Sequence, residues 1–219
     1  MPVAEVGKEG DGDAIRGWWR SRFPCRGTFG RNELKGPAES VARSLLGTEV
    51  VSRIGGRKVS GIVVETEAYV GPHDPASHAA ARVGRTRRNR SMFAGAGTAY
   101  VYLIYGMHWC LNVVTGEEGY PAAVLIRALD AVSGVDVMLD RREGRKELTS
   151  GPGRLSQALG ITGEMDGHDL FHPPLYLHPG FLLPDELVGT SGRIGIRRAA
   201  DWPLRFYLKD HPSVARPRN

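Results

Sequence analysis

The segment 61–112 carries the side chains best suited to chemistry. If residues 63–69 form a regular strand, Glu65, Glu67 and Tyr69 point to one face, because side chains alternate along a strand. Two carboxylates and a phenol suit the lining of a cleft, where one carboxylate can raise the pKa of the other. Such a carboxylate can act as a general base toward water or stabilise a developing positive charge. The alternative, that both glutamates pair with arginines at a sheet edge, stays open on spacing alone.

A proline-containing loop follows and contains His73, Asp74 and His78. Together with the two glutamates these residues could be drawn as a metal site, since carboxylates and imidazoles bind divalent metals. Their spacing matches no recurring metal motif. We therefore expect neither a metal nor a cofactor, and a histidine that hydrogen-bonds beside a polar pocket.

Five arginines lie within nine positions of the next stretch, which is dense enough to bind nucleic-acid phosphates. A solvated loop would have the same composition, so that alternative stays open. The five are Arg82, Arg85, Arg87, Arg88 and Arg90.

Three of the seven tyrosines of the chain lie within 100–105. Tyr100 and Tyr102 share one face of a predicted strand, which is typical of half-buried packing residues. Tyr105 precedes Gly106 at a predicted hairpin tip, where an aromatic ring would not pack against the hydrophobic core. An exposed ring there can act as a wedge between base pairs. Acid, cationic and aromatic groups in one neighbourhood favour an enzyme that acts on a nucleic-acid base.

The bulk composition agrees with a globular domain that has a polyanionic partner. The chain has 219 residues, 41% hydrophobic content, a formal charge of +5 and a sequence pI near 9.4. Its two cysteines, Cys25 and Cys110, have no pairing motif, which favours a reducing compartment. We find no signal-peptide pattern and no apolar run of membrane-spanning length. We therefore expect a cytoplasmic, nucleoid-associated protein that is not secreted and has no membrane partner.

The periodicity predicts a single mixed α+β domain with hairpins rather than strand–helix alternation. We expect a curved, largely antiparallel sheet, a protruding β-hairpin and surrounding helices. The domain should span 14–210, between a poorly ordered tail over 1–13 and a C-terminal tail over 211–219. Trp18 and Trp19 are expected to pack an N-terminal arm onto the domain. Helices are predicted over 37–47, 131–142 and 152–160, and strands over 48–54, 58–69, 100–104, 107–114, 122–129, 175–177, 192–196 and 204–208.

The chain resembles the 3-methyladenine DNA glycosylase family of the alkyladenine (methylpurine) type from about residue 36 to about residue 208. The resemblance is carried by VETEAYVGPHDPASH, RTRRNRSMF, GTAYVYLIYGMHWCLNV, AVLIRAL, SGPGRLSQALGI and PLRFY. It implies a monomeric, monofunctional enzyme that flips damaged purines out of double-stranded DNA and hydrolyses their N-glycosidic bond. The implied substrates are 3-methyladenine and 7-methylguanine, with hypoxanthine and ethenoadenine as further candidates.

The resemblance also implies roles for individual residues. Glu67 would activate water for attack on the deoxyribose anomeric carbon, and Arg127 would position that water. Tyr105 would intercalate into the gap left in the duplex. The flipped base would lie in a pocket formed by Tyr69, His78, Tyr102 and Asn112, with Asn112 opposing the exocyclic amine of normal guanine.

Three departures from the mammalian pattern of this family affect the expected lesion preference. Two extra residues separate Asn112 from Arg127, His108 and Trp109 replace other aromatic residues, and the arginine-rich loop differs in length. Two other functions stay open. One is a nucleic-acid-binding module without chemistry, since the family's fold resembles a C-terminal domain of methionyl-tRNA formyltransferase. The other is a metal-dependent nuclease using Glu65, Glu67, Asp74 and His78.

Overall fold

The computed structural model describes residues 11–215, with side chains from residue 14 onward. It confirms the α+β class, with an open antiparallel sheet and surrounding helices. The helices of this part of the chain are α1 Asp11–Arg22, α2 Ala38–Leu45, α3 Val135–Arg141 and α4 Pro152–Leu159. Its strands are β1 Glu49–Ser52, β2 Val59–Tyr69, β3 Ala99–Ile104, β4 His108–Thr115, β5 Ala122–Ser133, β6 Leu175–His178, β7 Val188–Ser191 and β8 Arg205–Leu208.

The long strand β2 lies at the centre of the sheet. The strand order is β3-β4-β5-β2-β1-β6, and β8 pairs with both β2 and β7. The first half of β2 pairs with β1, and its second half, which contains both glutamates, pairs with β8. Because β5 pairs with the opposite edge of β2, Glu65 and Glu67 lie between two neighbouring strands rather than at a sheet edge.

The pairing of β2 with β5 is irregular on both sides of Glu65. Val63 pairs with Leu129 and Glu65 with Ala128, whereas Thr66 pairs with Ile126. Next to Glu65, each strand therefore has one residue without a partner in the pairing: Val64 on β2 and Arg127 on β5. Such bulges redirect side chains locally, and here the Arg127 guanidinium reaches both glutamates.

The N-terminal arm packs onto the domain as an α-helix. The Trp19 side chain is completely buried, stacks on Phe181 at 5.5 Å and donates its indole N–H to Asp130 at 2.8 Å. This confirms the packing interpretation for Trp19. Helix α1 begins at Asp11, inside the predicted tail, and residues 1–10 lie outside the described part. Near the C-terminal end of the described part, the Ala215 N–H donates to Glu65. Residues 216–219 lie outside the described part. The predicted domain boundaries stay predictions.

Two predicted elements were wrong in their extent. The helix expected over 131–142 begins only at Val135, because β5 continues to Ser133 and Gly134 turns the chain with φ +69°. The stretch 192–196 is a loop, not a strand, and the strand lies before it as β7. Gly192 approaches the Ala200 carbonyl so closely that a Cβ would lie 2.1 Å from its oxygen. Neither feature has a periodic sequence signal.

No helix among residues 11–215 has the length and apolar character needed to cross a lipid bilayer.

Candidate active site

One row of paired residues crosses the sheet and defines the face of the site. Tyr100 pairs with Asn112, Asn112 with Leu125, Leu125 with Glu67, and Glu67 with Arg205. Directly paired residues of antiparallel strands point to the same face. Since neighbouring strands lie about 4.8 Å apart, the row carries the face from the aromatic hairpin to Glu67 over about 14 Å.

Glu65 is completely buried and fully paired. Its Oε1 accepts from Arg127 Nε at 3.0 Å and from Arg205 Nε at 2.6 Å, and its Oε2 accepts from the Ala215 N–H at 3.1 Å. Two guanidinium groups thus contact one carboxylate through charge-assisted hydrogen bonds, which are stronger than hydrogen bonds between neutral groups. Glu65 therefore acts as the counter-charge for the two arginines.

Glu67 is equally buried but has weaker compensation. Its Oε1 accepts from the Ile194 N–H at 2.7 Å and lies 3.2 Å from Arg127 Nη1, and its Oε2 accepts from the Tyr69 hydroxyl at 3.2 Å. Burial raises the pKa of Glu67, and the charge of Glu65 adds to this effect. Arg127, the Ile194 N–H and Tyr69 offset only part of it, because Arg127 is shared with Glu65. The result is a basic carboxylate.

Arg127 joins the two carboxylates and stays charged. Burial alone would lower its pKa, but Glu67 and Glu65 outweigh this and raise it. The guanidinium is thus a fixed positive charge against the carboxylate of Glu67.

An aromatic cluster lies on the hairpin side of the same face. His78 Nδ1 and the Tyr100 hydroxyl are hydrogen-bonded at 2.8 Å, and the rings of His78 and Tyr102 meet edge-on with centroids 4.4 Å apart. Burial lowers the pKa of His78, and the charge of Arg88 adds to this, so the imidazole is neutral near neutral pH.

The cluster is electrostatically continuous with the carboxylate site. Burial raises the pKa of Tyr102, and the Cys110 thiol and the Tyr69 phenol raise it further. Burial likewise raises the pKa of Cys110, with Glu67 adding to the effect and Arg127 opposing it. Tyr69 and Tyr102 are half-buried.

Asn112 is buried in the row between the two groups. Its side-chain amide donates to the Tyr100 carbonyl at 3.0 Å, which fixes its orientation. The structure therefore brings six predicted residues into one region of the sheet: Glu67, Arg127, Tyr69, His78, Tyr102 and Asn112.

The hairpin tip carries the two most exposed large apolar side chains among those described. Tyr105 is 80% and Met107 71% exposed. Tyr105 has φ +53° and Gly106 φ +70°, and the Met107 N–H donates to the Ile104 carbonyl at 3.1 Å. Positive φ at both central residues defines a type I′ turn. The Tyr105 ring is thus held away from the core.

The arginine-rich loop lies beside the aromatic cluster, with all five guanidinium-bearing residues exposed. Arg88 contacts the hairpin, since it donates to the Leu103 carbonyl at 2.9 Å and lies over the Tyr102 ring at 5.6 Å. Asn89 fixes the loop, since its amide donates to the carbonyls of His78 at 2.9 Å and Gly84 at 2.8 Å. The side chains of Arg87 and Arg90 make no hydrogen bond or ion pair with the described residues.

The predicted histidine and aspartate loop does not join its members into one cluster. Asp74 is buried against Arg193, whereas His73 is exposed beside Trp202, with ring centroids 6.4 Å apart. His73 and Trp202 line a separate cleft of about 610 Å³ that does not include Glu67. Among the side chains described, those of residues 14–215, no three histidine, cysteine, aspartate or glutamate side chains are grouped as metal ligands.

Sequence reasoning missed three groups that contact the site. Arg205, in the PLRFY motif, neutralises Glu65, and the Ile194 N–H binds Glu67. Asn89 ties the arginine-rich loop to His78. The PLRFY motif was a usable signal for Arg205. The other two interactions join backbone groups to distant side chains, which residue types do not reveal.

Comparison with known proteins places these features in a family. The family described as "Methylpurine-DNA glycosylase (MPG)" matches residues 32–212. A protein of Methanoculleus marisnigri is 49% identical over 185 residues, which cover 81% of this chain and 93% of that protein. Proteins of Myxococcus xanthus and Agrobacterium fabrum are 46% and 49% identical over 183 residues, covering 82% of this chain and 89% and 88% of those proteins. The names of all three propose a 3-methyladenine DNA glycosylase.

Proposed function

The chain belongs to the methylpurine-DNA glycosylase family and is a DNA glycosylase, and we propose that it hydrolyses the N-glycosidic bond of alkylated and deaminated purines in double-stranded DNA. The observation that carries this proposal is Glu67, a buried carboxylate of raised pKa that is held by Arg127, Tyr69 and the Ile194 N–H and lies in the paired row that leads to the aromatic cluster. The product is an abasic site, and its formation is the first step of base excision repair.

The damaged nucleotide must leave the base stack before Glu67 can act on it. Extrusion of a nucleotide costs a few kcal/mol, and less for a damaged base. Tyr105, exposed on its type I′ turn, fills the gap in the duplex. The arginine-rich loop binds phosphates without reading sequence, which suits an enzyme that meets its lesion in any context.

The flipped base lies between the rings of Tyr69, His78 and Tyr102. Alkylated purines such as 3-methyladenine and 7-methylguanine carry a positive charge. Each aromatic face then contributes about 0.5–2 kcal/mol of cation–π attraction. A neutral His78 adds no repulsion against such a base. Asn112, fixed by the Tyr100 carbonyl, excludes the exocyclic amine of normal guanine.

Glu67 supplies the chemistry of bond cleavage. Its carboxylate takes a proton from water, the water oxygen bonds to the anomeric carbon, and the bond to the base nitrogen breaks with its electron pair on the base. The negative charge of Glu67 also stabilises the oxocarbenium-like transition state, as carboxylates do in sugar hydrolysis. Arg127 orients the water and holds Glu67 in place. None of the pocket positions is lysine, so we expect hydrolysis without a Schiff base and without strand cleavage.

The substrate range follows from the leaving base. A charged alkylpurine leaves readily, whereas hypoxanthine and ethenoadenine need help at the base, which contacts from His78 can supply. We propose 3-methyladenine and 7-methylguanine as substrates, with the two neutral lesions as further candidates. We also propose that the protein acts as a monomer on nucleoid DNA in the cytoplasm, with no metal or cofactor.

One assay separates this function from the two alternatives. The protein is incubated with and without EDTA on duplexes that carry a single 7-methylguanine, hypoxanthine or ethenoadenine, and free base is measured before alkali treatment. We expect base release, strand cleavage only after alkali, loss of release in Glu67→Gln, and full release in the exposed control Glu118→Gln. Cleavage before alkali that EDTA abolishes would support a nuclease. Binding without base release from any duplex would support a module without chemistry.

A further inference from the structure

Arg193 and Asp74 form a completely buried ion pair next to the proposed catalytic glutamate. Arg193 Nη1 lies 2.5 Å from Asp74 Oδ2, and Arg193 Nη2 lies 2.9 Å from Asp74 Oδ1. Both side chains are fully excluded from solvent. The pair joins two loops that are 119 positions apart in the chain.

The pair contacts the three residues that come directly after Glu67 in the chain. Arg193 Nη1 also donates to the Ala68 carbonyl at 2.9 Å, and the guanidinium lies 4.6 Å from the centre of the Tyr69 ring. Asp74 Oδ2 accepts from the Val70 N–H at 3.3 Å. The backbone and the ring that follow Glu67 are therefore fixed by the same two side chains.

The residue after Arg193 makes the direct contact. The Ile194 N–H donates to Glu67 Oε1 at 2.7 Å, the shortest hydrogen bond that Glu67 accepts. Residues 192–196 have no regular secondary structure that would hold this N–H in place. The anchor of the loop at this point is the Arg193 side chain in its bond to Asp74.

Stability alone is a poor explanation of such a pair. Removing two charges from water carries a large desolvation penalty, and well-packed apolar residues often stabilise a fold as much as a buried ion pair does. What an apolar pair lacks is the fixed geometry of a bidentate guanidinium–carboxylate contact. A fixed Arg193 guanidinium would hold both the Ile194 N–H that follows it and the Tyr69 ring that it contacts in defined positions.

We propose that Arg193 and Asp74 are positioning residues that hold the Ile194 N–H on Glu67 and the Tyr69 ring at the pocket wall, and so set the basicity and orientation of Glu67. The inference rests on the proposed function of Glu67. A hydrogen bond to the charged form of a carboxylate lowers its pKa. If the loop loosens, the pKa of Glu67 rises further and the carboxylate also loses its alignment.

The test uses substitutions that keep every charge, so that only the geometry changes. Arg193→Lys retains the cation but cannot bind Asp74 with two parallel bonds. Asp74→Glu displaces the guanidinium and serves as the second variant if Arg193→Lys folds poorly. Arg16→Lys is the matched control, since Arg16 also binds a buried carboxylate, Glu49, with two nitrogens, but on β1. The charged and titratable groups that face Glu67 are unchanged in all three: Glu65 and Tyr69 on β2, Arg127 on β5, Cys110 on β4 and Arg205 on β8.

Two measurements are made on each variant. The first is the pKa of Glu67 from the pH titration of its ¹³C-labelled carboxyl carbon, assigned by its absence in Glu67→Gln. The second is single-turnover base release, with duplex affinity measured in parallel. We expect Arg193→Lys to raise the pKa of Glu67 and to slow release on the order of 10- to 100-fold, with duplex affinity unchanged within about twofold. Arg16→Lys should change neither quantity.

An unchanged pKa of Glu67 in a folded Arg193→Lys or Asp74→Glu protein would overturn the inference, even if the thermal midpoint falls. The titration does not depend on catalysis. A wild-type protein that releases no base would therefore contradict the proposed function, while the titration would still decide whether the pair positions the Ile194 N–H.

Discussion

Replacing Tyr105 with asparagine separates the stability of the hairpin tip from its proposed use on DNA. Tyr105 occupies the first central position of a type I′ turn with φ +53°. A left-handed backbone costs most L-residues about 1–2 kcal/mol, whereas Asn-Gly is the preferred pair in this turn. The ring is 80% exposed, so its removal loses almost no packing. We expect Tyr105→Asn to stabilise the protein by about 0.5–1 kcal/mol and to raise the thermal midpoint by about 1–4 °C.

The same substitution removes the proposed wedge. Stacking of an aromatic ring on a base contributes about 1–3 kcal/mol, so kcat/KM should fall by about 5- to 150-fold. The assay is base release from a duplex with a single hypoxanthine, combined with thermal unfolding followed by circular dichroism. Tyr105→Phe keeps the ring and serves as the control, with both quantities close to wild type.

Two results would refute this reasoning. A thermal midpoint several degrees below wild type in Tyr105→Asn would show that the ring packs against the protein. An unchanged kcat/KM together with a higher midpoint would show that the ring has no part in DNA processing.

Three further predictions follow from the burial and charge of other residues. Because burial raises the pKa of Glu67 and a general base must be ionised, base release should fall as the pH drops through a value above the ordinary glutamate range; a rate that stays constant down to that ordinary range would contradict this. Arg85→Ala and Arg87→Ala should each weaken binding to all duplexes and reduce the slope of log K against log salt concentration by about 1, whereas an unchanged slope would assign these residues to a solvated loop. Trp19→Ala should destabilise the protein by about 3–5 kcal/mol and lower its midpoint by roughly 6–20 °C, with kcat/KM measured below that midpoint unchanged; a selective loss of DNA binding would instead place Trp19 on DNA.

The outline of the fold could be predicted where local signals are strong. Pro37 and Gly47 mark the ends of the α2 region, and the exposed tip at Tyr105 and Gly106 marks the β3–β4 hairpin. Each of these depends on backbone preferences of single residues, which residue type reveals. The wrong strand over 192–196 had no such support, since the close approach of Gly192 to Ala200 is a tertiary contact.

The site was only partly accessible to sequence reasoning. Spacing placed Glu65 and Glu67 on one face but could not distinguish them. The two glutamates differ in charge compensation because of Arg205, which binds Glu65 but not Glu67 and is 140 positions from Glu65 in the chain. Arg127 reaches both glutamates because the β2–β5 pairing is irregular, and irregular pairing is invisible in a pattern of period two. Long-range ion pairs of this kind depend on topology, which a linear pattern does not contain.

The central claim is that Glu67 activates the water that displaces the base, and Glu67→Gln tests it most directly. Glutamine keeps the shape: its amide oxygen can still accept from the Ile194 N–H, and its NH2 group can donate to the Tyr69 hydroxyl oxygen in place of the bond that Glu67 accepts there. Because the pKa of Glu67 is raised in the folded protein, its ionised form opposes folding above that pKa, and the penalty disappears as the pH falls below the ordinary glutamate value. Glu67→Gln should therefore have a midpoint at neutral pH no lower than wild type.

The decisive measurement is single-turnover base release by Glu67→Gln on a duplex that both proteins bind. We expect release to slow by about 10²- to 10⁴-fold, with duplex affinity retained. Release within tenfold of wild type by the folded, DNA-bound variant would contradict the account.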